Sequence, residues 1–127
     1  MTNPMHADAL VALATEIRVL GAMVDDLPAP SAGPPAIAED LTVIALQARN
    51  ALSAVLRLQE LVPQGASAEL DTLLHRLNNF FTGIASLATL CRDDVRGAPA
   101  LSAKLVEVEQ QSRRAADCVR VLARARP

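Results

Sequence analysis

Four stretches of the chain repeat an apolar residue every three or four positions, and short segments rich in proline or glycine separate them. Leu10, Leu13, Ile17, Leu20, Val24 and Leu27 alternate spacings of three and four. On a helix of about 3.6 residues per turn such positions gather on one side. With Asn3 and Pro4 as N-cap and first-turn residues, the pattern predicts a helix over about 4–26. The segment 28–36 then packs four prolines into nine residues and is expected to be an extended connector. Ile37, Leu41, Ile44, Ala48, Ala51, Val55, Leu58 and Val62 form an unbroken heptad seam, so a second helix should start near Pro35 and stop at Pro63–Gly65.

Ser67 is placed to cap a third helix, and Glu69 and Asp71 suit the positive end of its dipole. Its seam is Leu70, Leu74, Leu77, Phe81, Ile84, Ala88 and Cys91, and Leu73, Phe80, Leu87 and Leu90 widen it. A stripe this broad suits a helix with more than one neighbour. The helix should run to about Asp94, where Arg96, Gly97, Ala98 and Pro99 make a short turn, with Gly97 as the stop. A fourth helix carries Leu101, Leu105, Val108, Ser112, Ala115, Val119 and Leu122. The short turn makes helices three and four an antiparallel hairpin.

The predicted fold class is therefore all-α, a helical hairpin within a four-helix bundle. Residues 1–65 form an N-terminal helical pair with its Pro-rich connector at 27–36, and residues 66–127 form the hairpin. Two closures are open. The preferred one pairs the hairpin with its copy in a homodimer; the other uses helices one and two of the same chain. Composition agrees with helices over sheets, since the chain is 51% hydrophobic but only 2% aromatic, with Ala, Leu and Val supplying the apolar mass.

Charge changes the picture locally. The net charge of −2 supplies no footprint for nucleic acid. Residues 1–62 hold three Arg against seven acids, whereas 113–127 hold five Arg against Asp117 alone. An acidic partner is therefore expected on the second half. Cys91 and Cys118 fit neither a disulfide framework nor a metal-ligand spacing and are expected as reduced core thiols. No uninterrupted apolar run approaches the ~20 residues of a membrane span, and a soluble, cytoplasmic chain is expected, with no membrane partner. The bend at 96–97 sets residue 75 roughly level with Cys118 and Val119.

One polar face of helix three carries candidate chemistry. His75, Asn79, Thr82 and Ser86 share a side opposite the seam, with Asn78 beside them. The run His75-Arg76-Leu77-Asn78-Asn79-Phe80-Phe81-Thr82-Gly83-Ile84 resembles the phosphoacceptor box of bacterial sensor histidine kinases. Their dimerisation and histidine-phosphotransfer domain often reads H-[ED]-[LF]-N-N-x-L-T-x-I, and every specified position but that of Arg76 matches in residue or character. The resemblance covers roughly residues 66–126, including a second helix that ends in a basic, Leu-rich stretch.

It implies His75 as phosphoacceptor and Asn79 as the residue that orients water against an aspartyl phosphate. Arg76, Asn78, Thr82, Arg113 and Arg120 would bind the partner. That partner would be a response-regulator receiver domain, a sensor kinase or both. The family's proton-accepting acid after the histidine is replaced by Arg76. The chain also shows no GxGxxG or Walker-type loop, so it is not expected to be an autonomous ATP-dependent kinase. No cofactor is expected in this chain; magnesium would come with the receiver. The implied function is a stand-alone histidine phosphotransfer or phosphatase-like protein of two-component signalling. The alternative is a catalytically silent adaptor or kinase inhibitor that mimics the hairpin. Gly83, which costs a helix roughly 1 kcal/mol relative to Ala, suggests a close approach by another helix or a partner.

Overall fold

A computed structural model describes residues 4–29, 31–65 and 67–124, and every regular element among them is helical. Four long helices, α1 (Pro4–Asp25), α2 (Ala38–Leu61), α3 (Ser67–Asp94) and α4 (Pro99–Arg124), follow one another in the chain. Their bounds agree with those expected from periodicity. Asn3 and the side chain of Ser67, expected as caps, lie outside the described residues.

The connections differ from the expected ones in detail. In the first connector the backbone N–H groups of Ala32 and Gly33 both donate to the Ala29 carbonyl, at 2.8 and 2.9 Å. The segment is thus turned over 31–33, while Pro34 keeps an extended backbone with φ of −57° and ψ of 132°. A single 3₁₀ turn, Pro35–Ile37, leads into α2, whose first turn carries Glu39 and Asp40 against the positive end of the helix dipole. A second 3₁₀ turn, Val62–Gln64, ends at Gly65 with φ of 68°. Its N–H returns to the Leu61 carbonyl at 3.1 Å. Gly65 is the one described residue in the left-handed region, where a side chain would be strained.

The turn between α3 and α4 needs no such residue. It is closed by Val95 N–H to the Arg92 carbonyl and Ala98 N–H to the Val95 carbonyl, and Val95 is buried beneath it. Gly97 keeps an ordinary backbone conformation there, so the expected glycine stop is replaced by tight i→i+3 turns around an apolar anchor.

Each helix packs on the next, and α4 closes against α1. Side-chain pairs fix the directions. Lys104 at the start of α4 meets Asp26 beyond the end of α1 at 3.2 Å, and Gln111 Nε2 donates to the Glu16 carbonyl at 2.9 Å. Arg57 near the end of α2 meets Glu69 near the start of α3, and Thr89 of α3 bonds Glu109 of α4. The bundle runs up, down, up, down. It is completed by the chain's own first two helices, the second of the two closures the sequence allows. The broad stripe of α3, expected to meet more than one neighbour, is covered by α2 on one side and α4 on the other.

One continuous core joins all four helices, so the N-terminal pair and the hairpin share their interior. Leu13, Leu20, Ile44, Leu77, Phe81, Ile84 and Leu105 have no exposed surface. Burying a side chain of this kind stabilises by roughly 1.5–3 kcal/mol. Leu90, expected to flank the seam, is 57% exposed and stands on the outer face. By length and composition the segment Pro35–Gln64 would be apolar enough to cross a bilayer, with a mean hydropathy of 1.2 in its best window. Leu, Val and Ile carry that average without any long uninterrupted run, and in the structure Leu41, Ile44, Val55, Leu58 and Leu61 face the bundle core while Leu46, Leu52 and Leu56 are exposed.

Candidate functional site

The seam of α3 fixes the phase of everything else on that helix. With Leu74, Leu77, Phe81 and Ile84 turned inward, His75, Asn79, Thr82 and Ser86 are exposed. Asn78 is half-buried. None of these five makes a side-chain hydrogen bond or ion pair among the described residues. They are held by the helix and by the core behind it.

The α4 edge of this face is set by a polar network. The Thr89 hydroxyl donates to Glu109 Oε2 at 2.6 Å, with the Ala85 carbonyl at 2.9 Å as its alternative acceptor. Glu109 also meets Arg113 Nε at 3.4 Å and Arg92 Nη1 at 3.7 Å. The Thr89 hydrogen bond holds the Glu109 carboxyl below its ordinary range, against the burial that would raise it, and Arg113 and Arg92 act in the same direction. Helical spacing extends the seam of contact in both directions. Glu109, Arg113 and Arg120 lie four and seven residues apart on one edge of α4; Thr89, Thr82 and His75 lie seven apart on the facing edge of α3.

Counting along both helices from the Thr89–Glu109 pair sets His75 near the 120–123 turn of α4 and Thr82 near 113–117. Arg120 and Arg113 therefore border the same open face as His75, Asn78 and Thr82. Both are exposed; Arg113 is paired with Glu109 and Arg120 with Asp117. Asn79, one turn beyond His75, lies toward the middle of this face.

Arg76 is not brought to this edge. It lines a groove on the other side of α3, with Asn50, Ser53 and Arg57 of α2 and with Phe80. One residue along a helix is about 100° of rotation, enough to carry Arg76 from the α4 side to the α2 side. Cys118 is also displaced from its expected place. The count from Thr89–Glu109 sets His75 level with residue 123, more than a turn beyond Cys118, and the phase of Cys118 turns it toward α1, where burial and then the Glu16 carboxylate push its thiol up. It is half-buried, not a full core residue; Cys91 is fully buried, and both are free thiols. Burial first, then Asp40 and Asp94, push Cys91 up to about 12.

Gly83 does permit a close approach, and the neighbour is α2. A Cβ added there would stand 2.5 Å from Gln47 Oε1, a buried acceptor with no hydrogen-bond partner. The groove residues Asn50, Ser53 and Arg57 are missed by sequence reasoning, because nothing local shows which side of α3 the second helix covers. Compared with known families, curated proteins and solved structures, the chain matches none.

Proposed function

We propose that the chain is a stand-alone phosphotransfer or phosphatase-like partner of bacterial two-component signalling that exchanges phosphate with a receiver domain through His75. The observation that carries this reading is the exposed, side-chain-unpaired His75 on a rigid helix face, with Asn79 one turn away. A neutral imidazole nitrogen there can attack the phosphorus of a receiver's aspartyl phosphate in line. The new P–N bond forms as the P–O bond to the aspartate breaks, leaving a free carboxylate. The partner's magnesium would stabilise the transferring charge. Arg113 and Arg120 would dock an acidic receiver surface on the neighbouring edge. In the phosphatase-like mode, Asn79 would orient a water for the same attack.

A second reading is favoured by one observation: among the described residues no carboxylate is bonded to His75, and the position after it is Arg76. On that reading the hairpin is a silent adaptor that occupies a receiver or a kinase without taking phosphate. Incubation with phosphorylated receivers, followed by detection of acid-labile phosphate on the chain and of receiver dephosphorylation, separates the two. Label on the chain that vanishes in His75→Ala supports transfer. If His75→Ala keeps every signalling output while Arg113→Ala and Arg120→Ala together abolish it, the adaptor reading replaces it.

A further inference from the structure

We propose that the groove between α2 and α3 is a second binding site, for a small organic anion: one phosphate or carboxylate carried on an apolar, ring-sized body. This goes beyond the reading of His75 and does not rest on it. The groove is about 410 Å³, within the roughly 300–1,000 Å³ of small-molecule sites. Its floor is apolar, made by Ala54, Leu73 and Phe80, and its walls carry donors from both helices.

The charges along it are unequal. Arg57 is already engaged by Glu60 at 2.9 Å and Glu69 at 3.2 Å, which raise its pKa and close that end of the groove with carboxylates. Arg76 pairs with no carboxylate among the described residues. Counting from the contact of Gln47 with Gly83 sets Arg76 level with residue 54, between Asn50 and Arg57. A single unpaired guanidinium therefore stands with the Asn50 amide and the Ser53 hydroxyl around one end of an apolar floor. Guanidinium groups bind phosphate and carboxylate through paired N–H donors. The carboxylates beyond Arg57 repel a second anionic group, so a ligand with one anionic headgroup and an apolar remainder fits the groove better than one carrying several such groups.

The test uses phenyl phosphate as probe, titrated into the isotope-labelled full chain while the backbone amides of Ser53, Ala54, Arg76 and Phe80 are followed by NMR. Saturable shifts at these residues are expected, with a Kd on the order of 1 mM for a fragment of this size. Inorganic phosphate, which cannot use the floor, should bind roughly tenfold more weakly, and neutral phenol should not saturate. Arg76→Gln should weaken phenyl phosphate by about tenfold; Arg96→Gln, removing the same charge at the far turn, should not. If Arg76→Gln disturbs the fold, Asn50→Ala reads the same site and should weaken binding severalfold. The proposal is overturned by an absence of saturation, by equal weakening in Arg96→Gln, by no weakening in the groove variants, or by inorganic phosphate binding as tightly as the probe.

Discussion

Gln47 of α2 and Gly83 of α3 meet so closely that the amide oxygen of one occupies the space where the other would carry a side chain. That oxygen has no hydrogen-bond partner, so displacing it breaks no bond and lets water reach it. Gly83→Ala gains helix propensity of about 1 kcal/mol. The expected outcome is a net stabilisation of about 0.5–1 kcal/mol in urea unfolding, with Gln47 swung outward. A loss of stability that Gln47→Ala restores would show that the amide is held in place by its packing.

Leu77 and Leu105 face each other's helices with no exposed surface. A carboxylate at either place would be buried without a partner, costing several kcal/mol against a total of about 5–15. Leu77→Asp and Leu105→Asp should each abolish the cooperative thermal transition in circular dichroism. A melt near that of the parent chain would put the seam out of phase.

Asn79 is exposed and unbonded through its side chain, so Asn79→Ala should change stability by less than about 0.5 kcal/mol. Under the proposed function it should slow receiver dephosphorylation without weakening receiver binding, as for a group that acts mainly in the transition state. A matched loss of binding, measured by calorimetry, would make Asn79 a docking residue instead.

Glu109 gives the fold a pH dependence whose sign is defined. Its folded pKa lies below the ordinary value of 4.5. The stability it contributes is therefore complete above that value and is lost as pH falls through the lower, folded one. Glu109→Gln keeps an acceptor for Thr89 but removes the charge, so its melting temperature should fall less steeply than that of the parent chain below about pH 5. Parallel acid limbs would mean that the network with Arg92 and Arg113 contributes nothing.

The two thiols should differ in reactivity. Thiolate is the reactive form, and Cys91 is both fully buried and pushed up to about 12. Cys118 is half-buried and less isolated from solvent. Iodoacetamide at mild alkaline pH should label Cys118 first in the native chain, as read by peptide mass spectrometry. Equal rates native and unfolded would contradict the burial of Cys91.

The four helices and their inward faces are legible in the sequence because the period of burial is a local property. The half-buried members of the seams, Leu10, Leu27, Val62, Leu70 and Leu101, all sit at the ends of their seams, where a helix runs out of neighbours. The outward phase of His75, Asn79, Thr82 and Ser86 is legible for the same reason. What is not local is the pairing of helices. Periodicity places Arg76 on an edge of α3 without saying that α2 covers that edge, and places Cys118 on α4 without saying that it turns toward Glu16. The flanking residues show the same limit: Leu73 is buried, yet Leu90, as apolar, is exposed.

The buried amide of Gln111, reaching from α4 to the backbone and side chain of Glu16 in α1, clasps the last helix to the first. A ring of helices fastened in this way closes its core within one chain. First-order formation is the expected outcome, with a melting midpoint that does not move when the protein is diluted, whereas a bundle built from two hairpins would loosen with every dilution. On that expectation the outward face of α3 is presented at any abundance of the protein, down to a single copy.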